Sequence, residues 1–202
     1  MSIIERKERE KEKRRVSILR AAETLFAQNG LHQTNLEDVA TAAEISKGTI
    51  YLYFKSKQDL FFSVIENKYQ DYIVGLEKEL DKATSLEEAI RFLVKYQLMH
   101  SQNHHHFFRI MMSEQSKERD AAHSELQRGF VHKSRLVLES VTTIFDRFIP
   151  SDSTSFSSDT LALSITGTIN AHVMSWLISG KSSDLDQAEK EINYLIINGI
   201  RN

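Results

Sequence analysis

The sequence predicts an all-α chain, on two observations. Its 202 residues hold one proline and seven glycines, too few for many short strands joined by tight turns. Four Ser/Thr-x-x-Asp/Glu patterns, each able to satisfy free backbone N–H groups at a helix N-terminus, precede apolar residues at helical spacing: Thr34–Glu37, Ser56–Asp59, Ser85–Glu88 and Ser183–Asp186.

The elements follow in order. Helix 1 is expected from about Glu5 to Asn29, with Ile18, Ala21, Ala22, Leu25 and Phe26 on its buried face and Gly30 as its C-terminal cap. Helix 2 is read as Leu36 to Ala43, helix 3 as Lys47 to Phe54 behind Ser46, and helix 4 as Lys57 to about Leu80. A helix from Leu86 to about Ser101 comes next, then a short one around Phe107 to Glu114 and a long one from Lys117 to about Phe148. Pro150 stops the long helix, and a serine-rich loop covers residues 151–158. Helices Asp159–Ser179 and Asp184–Ile200 close the chain.

Composition excludes several classes. With no cysteine, the chain has no disulfide, thiolate metal site or cysteine nucleophile, which fits a reducing compartment. The charged N-terminus has no apolar stretch behind it, so no secretory signal is expected. No uninterrupted apolar run approaches the roughly 18 residues of a membrane span, so no membrane partner is expected. The net charge of −2 hides a gradient, because residues 1–60 sum to +2 and the remainder to −4.

The basic part contains the informative segment. Residues 34–57 place two short helices around the tight connection Ala43-Glu44-Ile45-Ser46. Leu36, Val39, Ala40, Ile45, Ile50 and Phe54 can share one small core, as in a helix-turn-helix. The outer face of the second helix carries Lys47, Thr49, Tyr51 and Tyr53, groups able to reach base edges and phosphates, with Lys55 and Lys57 adding charge beside helix 4.

This stretch resembles the DNA-binding domain of the TetR family of bacterial one-component transcriptional regulators. The resemblance is carried by Gly30, Thr34, Ile45-Ser46, Lys47-Gly48-Thr49-Ile50-Tyr51, Tyr53-Phe54, and Lys57 with Leu60, over about residues 15–62. Beyond it, the chain matches only in length, helical character and helix order. One departure is Glu44, where the family often has glycine; a positive φ there would be strained. The resemblance implies that Ser46, Lys47, Gly48 and Thr49 lie against the major groove. It also implies that Tyr51, Tyr53, Lys55 and Lys57 hold phosphates, with Thr34 on the DNA backbone. It further implies an N-terminal three-helix helix-turn-helix domain (1–56) joined through helix 4 to a C-terminal helical ligand-binding and dimerisation domain (57–202).

Residues 5–15 carry seven Lys and Arg against four acids. The favoured reading is a solvated helix with i, i+4 pairs such as Glu5–Arg9 and Glu10–Arg14, the second an arm on flanking DNA.

In helix Asp159–Ser179, Ser164, Thr168, Ala171 and Ser175 form a stripe of small residues suited to close approach of another helix. Leu161, Ile165, Ile169, Val173 and Trp176 form a bulky stripe suited to the subunit's own core. The small stripe, with Ile192, Leu195 and Ile196 of the last helix, is the expected homodimer interface. Phe92, Tyr96, Met99, Phe107, Met111 and Phe130 would line an effector pocket, with His100, His172 and Trp176 joining Tyr96 as polar anchors. Such a wall favours a lipophilic or aromatic effector. His100 and His104, one helical turn apart, leave a metal-responsive regulator as the alternative.

No Gly-rich phosphate loop, nucleophile elbow or supported carboxylate pair is present, so no enzyme and no cofactor are expected. The expected protein is a cytoplasmic regulator, as a repressor, that binds a pseudo-palindromic double-stranded DNA operator and is released by a small molecule.

Overall fold

In the computed structural model every regular element is a helix among the described residues, which are 3–105, 134–150, 156–179 and 184–201. The elements are α1 (Ile3–Gln33), α2 (Leu36–Ala42), α3 (Lys47–Ile50), α4 (Lys57–Leu80) and α5 (Leu86–Asn103). They continue with α6 (134–145), α7 (Ser158–Ile178) and α8 (Leu185–Arg201). The short helix expected around Phe107, the start of the long helix after it and residues 151–155 of the serine-rich loop lie outside the described residues.

Local chemistry sets most boundaries. Gly30 breaks α1 with φ 77° and ψ 174°, the positive φ that glycine adopts without a Cβ penalty. Ser46, Ser85 and Ser157 cap α3, α5 and α7 by accepting from Thr49 N, Glu88 N and Thr160 N. Ser56 Oγ accepts from Asp59 N at 3.0 Å, and Asp59 Oδ2 accepts from Lys55 N at 2.6 Å, a reciprocal cap at α4.

Two starts differ from expectation. α2 is capped by Asn35, whose side chain accepts from Glu37 N at 3.0 Å, and not by Thr34. Asp184 Oδ1 accepts from Asp186 N at 2.9 Å at the head of α8, and Ser183 lies outside the described residues.

The chain divides into two compact units, one built on Met1–Tyr69 and one on Gln70–His105 with the later described residues. The expected boundary at 56/57 sits at the start of α4, whereas the units part inside that helix. The reason is packing: Leu60, Phe61, Val64 and Ile65 on the first turns of α4 are buried in the first core with Ile18 and Phe26. Phe26 meets Phe61 edge to face at 5.1 Å. The Lys68–Glu23 ion pair, 2.6 Å, ties α4 to α1 in the same unit.

The second core gathers Leu76 and Leu80 of α4, Ile90 and Leu93 of α5, Val141 and Phe145 of α6, and Ile192 of α8. The bulky stripe of α7 lies in it, with Leu161, Ile165, Ile169, Val173 and Trp176 all buried.

Helix α7 corrects one expectation. Its 21 residues are long and apolar enough to cross a membrane, by length and composition alone. An uninterrupted apolar run was the wrong criterion, because Ser, Thr and Gly dilute hydropathy little. A core helix of a globular protein meets the same test, and α7 supplies such a core face.

Candidate nucleic-acid interface

Helix α2 ends in a Schellman turn. Ile45 N–H donates to Ala40 O at 2.9 Å and Glu44 N–H to Thr41 O at 3.1 Å. The turn requires a left-handed residue, and Glu44 supplies it at φ 56°, a conformation that costs a non-glycine residue about 1–2 kcal/mol. The site flagged from the sequence is therefore strained, and the turn holds because Val39, Ala40, Ala43 and Ile50 are buried around it.

Helix α3 is shorter than expected, Lys47–Ile50. The chain beyond it tightens: Leu52 N–H bonds Thr49 O at 3.2 Å and Tyr53 N–H bonds Ile50 O at 3.0 Å, i→i+3 contacts. This tight turn buries Ile50 and Phe54 and leaves Tyr51 and Leu52 outside, 51% and 78% exposed.

The expected DNA-contacting residues separate into two groups. Ser46, Lys47, Gly48, Tyr51 and Lys55 are exposed, and Thr49 and Tyr53 are half-buried on the same segment. Ser46 Oγ and Thr49 Oγ1 share a hydrogen at 2.8 Å. A Cβ on Gly48 would meet nothing nearer than Ser46 Oγ at 3.8 Å, so packing within the protein does not demand glycine there.

Thr34 and Lys57 behave differently. Thr34 is 2% exposed, and its hydroxyl is directed at Gly30 O (2.7 Å) and Leu25 O (3.2 Å). Its side chain closes the end of α1 and is turned inward, away from the surface where a contact to the DNA backbone was expected. The Lys57 ammonium donates to His32 O at 3.0 Å and Thr34 O at 3.1 Å, so two of its three donors hold the α1–α2 connection.

Three residues of the surface were missed from sequence. Leu52 has no polar signature, yet exposed apolar groups can contact thymine methyls. Arg15 lies over the Phe54 ring at 5.7 Å, a contact between residues 39 apart in the chain that only the packing of α1 in the first core provides. Glu37 Oε1 accepts from Lys47 Nζ at 2.8 Å across ten residues of sequence. The Lys47 hydrogen bond and charge hold the Glu37 carboxyl below its ordinary pKa, and Glu37 raises that of the Lys47 ammonium. In the N-terminal extension, solvated ion pairs join Arg6 to Glu10 (3.0 Å) and Arg15 to Glu12 (3.7 Å), so Glu10 pairs with Arg6 where Arg14 was expected.

Within the second unit, Tyr96 and His100 come together with Tyr72, which the sequence reading did not include. Tyr72 lies 5.6 Å from Tyr96 and 4.7 Å from His100 between ring centroids, and His100 lies 4.4 Å from His104. Tyr96 Oη donates to Tyr72 O at 3.2 Å, over Gly75, where a Cβ would stand 2.1 Å from that hydroxyl. Burial, then the charges of Glu79 and Asp71, raise the Tyr96 pKa.

Phe92 packs partly buried on the core, Trp176 is buried with His105 edge-on at 5.9 Å, and His172 is half-buried. Met99 is 47% exposed. Phe107, Met111 and Phe130 lie outside the described residues. Among the described residues, no group of three or more His, Cys, Asp or Glu is placed to hold a metal.

The face of α7 is more apolar than the small stripe implied. Leu163 (62%), Met174 (42%) and Ile178 (73%) are exposed on α7, beside exposed Ser164, Ala171 and Ser175 and half-buried Thr168. Ser164 Oγ donates to Thr160 O and Thr168 Oγ1 to Ser164 O, so both hydroxyls are satisfied within the helix. On α8, Tyr194 (71%) and Leu195 (64%) are exposed and Ile196 is half-buried. Ile192, expected at the interface, is fully buried in its own core, because it points from α8 toward the core cluster.

Comparison with known proteins agrees with this geometry. Residues 18–64 match the family model described as bacterial regulatory proteins, tetR family. The fatty acid metabolism regulator protein of Bacillus subtilis (strain 168) is 27% identical over 199 residues, 96% of this chain and 99% of that protein. The fold is that of the transcriptional regulator FadR from Bacillus subtilis in complex with stearoyl-CoA (TM-score 0.74, 23% identity, 91% of this chain and 98% of that one). It is also that of the fatty acid degradation regulator FadR from Bacillus halodurans (TM-score 0.72, 23% identity, 94% and 97%). These relatives are transcription regulators, a class without enzymatic activity. With its short reading helix set out from a strained Schellman turn inside the matched segment, the chain is a DNA-binding transcription regulator whose residues 18–64 match the tetR family of bacterial regulatory proteins.

Proposed function

We infer that the chain acts in the cytoplasm as a homodimeric repressor that a lipophilic effector releases from a pseudo-palindromic operator. The observation that carries this reading is the α3 segment, where Lys47, Gly48, Tyr51 and Leu52 are all exposed on one short helix and its following turn. A single reading helix spans too few base pairs for genome-scale specificity, so two copies must act together. The exposed apolar face of Leu163, Met174, Ile178, Tyr194 and Leu195 is the surface on which a second copy fits.

An effector carrying an acyl chain is supported by two facts. The Bacillus subtilis FadR structure contains stearoyl-CoA, and the full-length relative is named a fatty acid metabolism regulator. In this chain the Tyr72, Tyr96 and His100 rings stand together as an aromatic group. Residues 1–56 then read DNA, and residues 57–202 bind effector and partner. Effector binding shifts α4, which carries residues of both compact units, and changes the spacing of the two reading helices from the roughly 34–36 Å of one B-DNA turn.

Selection of bound duplexes from a random pool tests the reading. Two half-sites one helical turn apart are expected, and stearoyl-CoA is expected to weaken binding. Recovery of unrelated single sites, or affinity unchanged at saturating stearoyl-CoA, overturns the dimer or the effector part respectively.

A further inference from the structure

The Glu37–Lys47 pair crosses from the first turn of α2 to the first residue of α3 with a 2.8 Å hydrogen bond. The carboxylate is held from behind as well: Asn35 Nδ2 donates to Glu37 Oε2 at 3.4 Å, while Asn35 Oδ1 accepts from Glu37 N at 3.0 Å. Both partners are largely in solvent, with side chains 45% and 63% exposed for Lys47 and Glu37. A pair this exposed contributes little to folding. Its consequence is therefore to be sought in binding.

A carboxylate on a DNA-facing surface stands against the phosphate backbone. While it accepts from Lys47, its charge is compensated. An ammonium drawn away to a phosphate leaves Glu37 bare beside a polyanion, and like-charge juxtaposition across an interface is costly. An ammonium aimed at the O6 and N7 acceptors of a guanine keeps one donor on Glu37, since Lys47 has three.

We propose that Glu37 is a specificity-determining residue, which directs Lys47 to base edges and withholds it from phosphates. The proposal rests on the operator reading above and adds a repulsive element that acts against the wrong sequence.

The test compares full-length protein with Glu37→Gln, Lys47→Gln and the double variant. The probes are a duplex recovered from the random pool and a shuffled duplex of equal composition, over a salt series. For Glu37→Gln, affinity for the shuffled duplex is expected to rise about tenfold, and its log–log salt slope to steepen by about 0.9, one phosphate contact. Affinity for the selected duplex is expected to rise less, so discrimination falls, with thermal stability unchanged. In the Lys47→Gln background, Glu37→Gln is expected to leave discrimination unaltered. Equal gains on both duplexes, an unchanged slope, or an undiminished effect without Lys47 overturns the proposal. Wild-type preference for the selected duplex tests the operator reading separately.

Discussion

Replacing Lys57 by methionine separates a structural lysine from a phosphate-binding one. The resemblance implies a phosphate contact, but the ammonium donates to His32 O at 3.0 Å and Thr34 O at 3.1 Å. Hydrogen bonds from a charged donor contribute about 1.5–3 kcal/mol each when shielded. Lys57 is half-buried, so solvent screening reduces the two together to about 1–2 kcal/mol. Methionine keeps most of the apolar stem and removes the donors. A loss of that size lowers Tm by roughly 2–8 °C for a chain of this length. Affinity for every duplex falls, because α2 is less firmly anchored behind α3. The salt dependence carries the discrimination. A residue that only braces the reading head leaves the slope of log affinity against log salt unchanged, whereas loss of a phosphate contact reduces it by about 0.9. Thermal unfolding and fluorescence anisotropy across a salt series supply both readouts. An unchanged Tm with a slope smaller by one contact would refute the bracing role.

Three further outcomes are expected. Gly48→Ala has room for its methyl, with nothing nearer than 3.8 Å, and gains up to about 1 kcal/mol of helix propensity, so stability holds or rises. Its DNA affinity is expected to fall at least about tenfold, a 1.4 kcal/mol loss, as a backbone approach to DNA requires; unchanged affinity in gel shift refutes that approach. Glu44→Gly relieves the φ 56° strain, and after the added unfolded-chain entropy a net gain of about 0.5–1 kcal/mol is expected, read as a higher Tm with DNA binding retained. Ile178→Glu, at a position 73% exposed, is expected to leave the subunit folded by circular dichroism and to give a monomeric mass in sedimentation; a persistent dimer removes α7 from the interface.

Much of the fold was legible in the sequence because it is set locally. Gly30 and Ser46 act through backbone geometry and caps within a few residues, and the structure keeps both where the spacing put them. The bulky stripe of α7 is buried as its period required. Register errors arose where two neighbouring residues compete. Thr34 and Asn35 are both good N-caps; burial of Thr34 against the end of α1 left the role to Asn35. Ile192 was grouped with Leu195 and Ile196 because all are apolar, but a helical step of 100° separates a core-facing side chain from an outward one, and only the packing of α8 fixes the zero of that rotation.

The sequence by itself determined an all-α chain, a helix-turn-helix within residues 34–57 and the exposed Lys47-Gly48-Thr49 segment, since these depend on short-range spacing and side-chain type. The tertiary structure alone decided what the polar side chains do. It turned Thr34 inward, drew Lys57 to carbonyls 23 and 25 residues away, and set Glu37 against Lys47. Those contacts join segments distant in the chain, and only the packing of α1, α2 and α4 around one core brings their partners within hydrogen-bond range.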